Sequence, residues 1–372
     1  MDTPQPGNSD GVAGLIPPQP SGTLGRRWRA SFCFVQRTDL VERIALALSR
    51  LGLAPAPFPG PLYDAYFGAV AARAISTAGE LGVFRELAKS PIDAEALAQR
   101  SRITKEGADA LLAALTTLGF VRFRRGRFGL TRRARRWAVE RTPTWTGAFG
   151  GWAHETAGGL RDTLRGAAPS GLHDRPPDDP FWATYQDALA ELASLTAEPL
   201  AAAIPLEAPR RLLDLAGGSG LHAQALVRRH PGLEATVVEL PGAARRADAP
   251  GLSYLEGDLF ELDLGTGYDV VTANNVLHNL SHDRCLALLR RAHDALRPGG
   301  SLAVLELERP PRGRAGTQPA TVGALLFLIT TGTRTWTAAE LEELARRAGF
   351  IDIRFKRPSQ LNGSLVLVAT RP

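Results

Sequence analysis

The sequence predicts an α/β chain: a mostly parallel sheet ending in an antiparallel strand pair, preceded by a mainly α half. Three observations carry this prediction. From residue 212 onward, apolar strand-like runs alternate with amphipathic helical runs, the texture of parallel strands joined by helical crossovers. Before that point helical periodicity dominates, interrupted by one short alternating run around Gly126. At the C-terminus, "FIDIRFKR" and "SLVLVATRP" are strand-like, bridged by "PSQLNG" with no room for a crossover helix.

A chain of 372 residues is long enough for two cores, and 44% hydrophobic with 22% charged residues is ordinary for a globular protein. Apolar runs such as "GALLFLITTG" are too short to span a bilayer, so no membrane partner is expected. Residues 1–25 are rich in Pro, Gly and Ser and lack a charged n-region and apolar h-region, which predicts a disordered tail and no secretory signal. Two distant cysteines, Cys33 and Cys285, argue against a disulfide framework or a cysteine-based metal site and fit a reducing cytoplasm.

Residues 38–51 have helical spacing with Thr38 or Asp39 as N-cap, and 26–56 are read as an extra helical segment ended by "APAPFPGPL". Residues 62–90 are helical with a break near Gly79 and Gly82. "IDAEALAQRSRI" and "TKEGADALLAALTTLGF" each open on an Asp or Thr cap, and "VRFRRGRFGLT" alternates like a hairpin. Helices followed by a hairpin make a winged-helix pattern over 57–180. With a net charge of +6 and the basic cluster "RFRRGRFGLTRRARRW", that pattern raises DNA binding as one reading. The would-be recognition helix is apolar or acidic, which favours a solvated basic face with Phe120, Phe123 and Phe128 in the core, and no nucleic acid. Residues 181–372 form the second domain.

"LLDLAGGSG" is an apolar strand entering a glycine turn. Gly217, Gly218 and Gly220 let the backbone turn sharply and approach a ligand closely. Glu239, 22 residues after Gly217, ends the next strand, where a carboxylate can accept both hydroxyls of a ribose. The turn alone fits NAD as well as S-adenosylmethionine. Asp258 in "LEGDLF" follows the third strand, where a carboxylate can accept from an adenine amino group. "LRPGG" reads as a helix stop and turn before strand "SLAVLELE", and the terminal strand pair departs from a dinucleotide fold.

With "LLDLAGGSG", "VVELPGA", "EGDLF", "NNVLHNLSHD" and "LRPGGSLAVLE" in order, residues 60–372 resemble the class I S-adenosylmethionine-dependent O-methyltransferases of the caffeic acid and bacterial polyketide type. The resemblance implies a Rossmann-like methyltransferase sheet with a C-terminal antiparallel hairpin and a winged-helix-like domain that serves dimerisation and the substrate pocket. It implies a homodimer using S-adenosyl-L-methionine on a small aromatic acceptor, in secondary metabolism. Asp214, Gly217, Gly218 and Gly220 then hold the cofactor's methionine end, Glu239 and Leu240 its ribose side, Asp258 and Leu259 the adenine. Asn274 also touches the cofactor. His278 falls on the family's catalytic base and Glu306 on an acid that orients it, with Glu308 as the off-register alternative.

Chemically, a neutral imidazole titrating near 6.5 suits a phenol's proton. Two carboxylates of the family pattern are replaced, by Asn279 and about Thr335. That leaves open a more acidic acceptor that hardly needs a base, methylation at carbon or nitrogen, or cofactor binding without methyl transfer. Acceptor contacts are expected from Trp152, His154, Phe181, Trp182 and Tyr185 on one side and Leu326, Phe327 and Thr330 on the other, with Asn279 nearby; for any single aromatic, core packing is the simpler role. His282 is expected at a helix start or as a polar group of the pocket, and His222 in packing or beside the cofactor rather than in catalysis.

Overall fold

The computed structural model describes residues 60–244, 250–361 and 363–372, so the expectations for 1–25 and 26–56 lie outside the described residues. Helix α1 (Gly60–Glu80) is followed, after Gly82 at φ 70°, by α2 (Val83–Lys89). The caps expected from sequence are there. Asp93 accepts from Ala96 N at the start of α3 (Ala94–Ser101), and Thr104 accepts from Gly107 N at the start of α4 (Lys105–Thr117). Strands β1 (Val121–Arg124) and β2 (Arg127–Leu130) pair antiparallel across Arg125 and Gly126, both at positive φ, which is the type I′ geometry of a tight hairpin.

The three helices α2–α4 and the hairpin enclose one core of Phe84, Leu87, Leu97, Leu112 and Leu115. Phe120 and Phe128 pack against it, but Phe123 is 41% exposed and rests on Phe128, so it is not a core residue. Beyond Val121 the strand is open on both faces, Phe123 on one and Arg122 and Arg124 on the other. Past the hairpin the chain runs through π-helical turns at Arg136–Arg141 and Trp145–Phe149, then α5 (Gly150–Ala157), which the periodicity did not single out.

Helix α6 (Phe181–Ala203) leads to a seven-stranded sheet: β3 (Arg211–Leu215), β4 (Glu234–Glu239), β5 (Ser253–Glu256), β6 (Tyr268–Asn274), β7 (Leu296–Leu307), β8 (Ile351–Lys356) and β9 (Ser364–Thr370). Their order is β5-β4-β3-β6-β7-β9-β8; β3 to β7 are parallel, and β9 is antiparallel to both neighbours. The terminal hairpin is therefore as expected. Two boundaries differ. "LRPGG" is not a turn between helix and strand but a bulge inside β7, where pairing to β6 skips from Leu296 to Ser301 and Gly299 takes φ 74°. The strand carrying "YDVVTANNVLH" stops at Asn274, because Asn275 turns to φ 56° and sends the chain into a single 3-10 turn, Leu277–Asn279.

Helices α7 (Leu221–Arg229), α8 (His282–Ala295), α9 (Ala324–Thr331) and α10 (Ala338–Arg347) complete this half. Leu213, Leu215, Val271 and Leu302 pack one sheet face, and Leu212, Val237, Val270 and Leu305 the other. With both faces covered, ligands are confined to the edge where β3, β4 and β6 end. No helix among the described residues is long and apolar enough to cross a membrane.

Candidate active site

The parallel strands bring the glycine turn, Glu239 and Asn274 to one sheet edge. Beyond β3, Ala216, Gly218 and Gly220 take φ of 53°, 57° and 74°. A Cβ on Gly217 would stand 2.5 Å from Asp214 Oδ2, so glycine is required there by contact as well as by the turn. Glu239 clamps this loop to the next strand: Oε2 accepts from Gly218 N at 2.7 Å and Oε1 from Leu240 N at 2.8 Å. Burial raises its carboxyl above the usual range, and the two backbone amides oppose that.

Asp214 is fully buried. Its Oδ1 accepts from Thr272 Oγ1 at 2.7 Å and Asn274 Nδ2 at 3.3 Å, while Oδ2 has no donor. Asn274 Oδ1 and Gln186 Oε1 are also buried without a partner, and Gln186 Oε1 would lie 3.5 Å from a Cβ on Gly218. Three unpartnered acceptors around one glycine turn call for a donor-rich cation, since unsatisfied buried groups are costly. An α-ammonium group carries three N–H donors, so these residues fit the methionine end of S-adenosylmethionine. Burial pushes the Asp214 carboxyl up to about 7, and the charge of Glu239 adds to this.

Asp258 follows β5, with Oδ1 accepting from Phe260 N at 2.8 Å and Oδ2 3.9 Å from Arg284. Leu259 packs on the sheet core and Leu240 on the cluster of Phe149, Trp182 and Tyr185.

The other half of the site is the turn after β6. His278 is buried, and its Nδ1 lies 2.7 Å from Glu306 Oε2. Glu306 is wholly buried on β7, and its Oε1 accepts from Leu277 N at 2.7 Å and His278 N at 3.4 Å. The turn is riveted further: Trp336 Nε1 and Cys285 Sγ donate to Leu277 O, and Thr333 Oγ1 donates to His278 O. Phe327 stacks on the imidazole with ring centroids 4.0 Å apart. Assigning the tautomer from this network puts the proton on Nδ1, toward Glu306, and leaves Nε2 as an acceptor.

Glu308 instead pairs with Arg357 at 2.6 Å, so Glu306 is the histidine's partner. Asn279 Nδ2 reaches Asn275 O at 3.5 Å, and buried Thr335 Oγ1 donates to Ala320 O. Neither supplies a charge to His278.

Trp152, Phe181 and Tyr185 form one aromatic group with Phe149, at centroid distances of 5.0 to 6.3 Å. Trp182 is taken up by packing: it is 3% exposed, its Nε1 donates to Pro176 O, and its indole fills the space beside Gly242. His154 is exposed on α5, and Thr330 is buried with its hydroxyl on Leu326 O, so neither presents a free polar group to this site. His282 begins α8 behind the Ser281 cap, the helix start expected of it, and His222 is buried in packing against Thr196 at 2.9 Å. Gln186 and His173 were not expected. Gln186 follows Tyr185 on a helix, and His173 lies in the single 3-10 turn Leu172–Asp174, too short to show a period, so no periodicity marks either.

Two family models match, the O-methyltransferase domain over residues 166–351 and the O-methyltransferase dimerisation domain over 63–140. The 3-hydroxy-5-methyl-1-naphthoate 3-O-methyltransferase of Streptomyces sahachiroi is 32% identical over 327 residues, 80% of this chain and 91% of that enzyme. The chain belongs to the O-methyltransferase family. Acetylserotonin O-methyltransferase of Mus musculus is 31% identical over 344 residues, covering 80% of this chain and 85% of its own. The fold agrees: human N-acetylserotonin methyltransferase in complex with SAM superposes with a TM-score of 0.74 at 24% identity, over 83% of this chain and 96% of that one.

Proposed function

We propose that this O-methyltransferase moves the methyl group of S-adenosylmethionine to a hydroxyl of an aromatic or polyketide-type small molecule, with His278 as general base. The observation that carries the reading is the buried His278–Glu306 pair at 2.7 Å, one strand away from the glycine turn and its unpartnered oxygens. In this reading Asp214, Asn274 and Gln186 receive the ammonium end of the cofactor, Glu239 the ribose hydroxyls, and Asp258, Leu240 and Leu259 the adenine. When bound, the cofactor supplies an electrophilic methyl carbon on a sulfonium.

The chain's own residues do the rest. Glu306 holds the Nδ1 proton, so Nε2 is free to take the proton of the acceptor hydroxyl, and the imidazolium formed is paired with a buried carboxylate. General-base help of this kind is worth roughly 10²–10⁴-fold. Holding the acceptor in near-attack geometry contributes about 7–11 kcal/mol more. Trp152, Phe181, Tyr185 and Phe327 line the acceptor's apolar side and keep water out, with Asn279 at the rim. Glu306 is then the single acid supporting the base, because Asn279 and Thr335 stand where carboxylates were expected. The similarity to enzymes named for a hydroxynaphthoate and for acetylserotonin supports an aromatic acceptor.

Residues 57–180 serve as the dimerisation and lid half and 181–372 as the cofactor half. We also propose a homodimer, supported by the match to a dimerisation domain and by Tyr66 and Val70, 70% and 60% exposed on α1.

Titration calorimetry with S-adenosylmethionine tests the cofactor: absence of heat and of any thermal shift rejects the reading. His278→Ala is expected to keep cofactor affinity and lose about 10²-fold or more in turnover. Unchanged turnover means that proximity alone drives the reaction.

A further inference from the structure

A second histidine lies close to the base and has no part in the steps above. His173 sits in the 3-10 turn Leu172–Asp174, ahead of α6. The stretch before it is fastened to the end of α9: Ser170 N and Gly171 N donate to Ile329 O and Thr330 O at 2.9 and 3.0 Å. The same helix carries Phe327, which covers the His278 ring. Burial pushes the His173 imidazole down to about 4, with a smaller contribution from His278 within electrostatic reach, so it is neutral at pH 7.

Its tautomer follows from Tyr185. The Tyr185 hydroxyl has one polar contact, His173 Nε2 at 3.2 Å. Burial and the Glu239 charge hold this phenol protonated, so it has a proton to donate, and buried tyrosine hydroxyls find an acceptor. Tyr185 therefore donates to Nε2, and a neutral His173 carries its proton on Nδ1. That N–H has no acceptor within the described protein.

We infer that His173 Nδ1–H binds a second oxygen of the acceptor while His278 takes the hydroxyl to be methylated. The preferred substrate class is thus a hydroxyarene that also bears a neutral hydrogen-bond-accepting oxygen, such as a ring-attached carbonyl. A carboxylate fits less well, because Glu239 and Glu306 already place two acidic groups nearby. A site built around a donor rejects analogues lacking its partner far more strongly than a methylene-sized difference. The inference rests on His278 being the base, and its test is chosen to fail separately from that reading.

The test uses protein loaded with the demethylated cofactor, titrated with 2-naphthol and with hydroxynaphthyl methyl ketones that differ in the ring position of the carbonyl. At least one ketone is expected to bind about tenfold or more tightly than 2-naphthol. His173→Phe, which keeps a ring against Tyr185, is expected to abolish that preference, so that in this variant no ketone binds more tightly than 2-naphthol. Tyr185→Phe, which removes only the hydroxyl that sets the tautomer, is expected to retain part of it. Nitrogen chemical shifts of His173 in the cofactor-free protein should report a proton on Nδ1. No ketone preference, a preference that survives His173→Phe, or a proton on Nε2 overturns the inference. Failure of the demethylated cofactor to bind counts against the proposed function instead, and the tautomer still decides the role of His173.

Discussion

At the scale of single residues, Asp214 shows how a binding site can be built at a cost to the protein without its ligand. Its carboxyl titrates at about 7 when folded and near 3.8 ordinarily. Between those values the folded protein holds a proton that the unfolded chain has released, so this group's stability is lost as pH rises through that window. Asp214→Asn removes the effect. Its stability relative to wild type should grow by roughly 1.4 kcal/mol per pH unit between about pH 4 and 7 and then level off. Paired thermal melts across that range measure it, and a flat difference means that Asp214 is ionised throughout. The same variant should weaken cofactor binding, since it removes an anion aimed at the ammonium site. His222 and His173 act in the opposite direction. Burial holds both near 4, so their contribution is lost as pH falls from 6.5 toward 4. Glu306 and His278 could be named from sequence, but Gln186 and His173 could not, because their meaning comes from which atoms lack partners.

At the scale of elements, two glycines mark a backbone crossing. A Cβ on Gly79 would stand 2.6 Å from Gly147 Cα, so α1 and the π-helical turn at Trp145–Phe149 touch main chain to main chain. Gly79→Ala is expected to cost about 1–3 kcal/mol in chemical denaturation, since backbone cannot move aside as a side-chain tip can. Gly68 on the same helix has nothing within 4 Å of its would-be Cβ, and Gly68→Ala should instead stabilise by about 0.5–1 kcal/mol. Equal effects of the two would mean that the crossing is not tight. Capped helices and the hairpin were legible because Asp93, Thr104 and the Arg125-Gly126 turn act within a few residues. The end of β6 and the bulge in β7 were not. Asn275 and Gly299 leave regular geometry to meet neighbouring strands, and a one-dimensional pattern does not include those neighbours.

At the scale of the whole molecule, the basic hairpin and the family match make opposite predictions for partners. Sedimentation is expected to show twice the 39.8 kDa chain mass. A low-salt gel is expected to show no shift of duplex DNA, with or without neutralisation of Arg132, Arg133, Arg135 and Arg136. Salt-sensitive binding lost on neutralising them would restore the nucleic-acid reading. The helix that would read bases, α4, turns Glu106, Asp109 and Thr117 to solvent, side chains poorly suited to a phosphate-lined groove.

Local composition and periodicity were enough for the α/β class and the glycine turn, because each is written in residues near one another in the chain; His278 was named through the family resemblance of "NNVLHNLSHD". The tertiary structure decided what those residues do together. It chose Glu306 over Glu308 by register on β7, moved His278 off the strand into a turn held by Cys285, Thr333 and Trp336, and left Gln186, Asp214 and Asn274 as a ring of unanswered oxygens. Such features depend on distances across the sheet and between helices, which only folding sets.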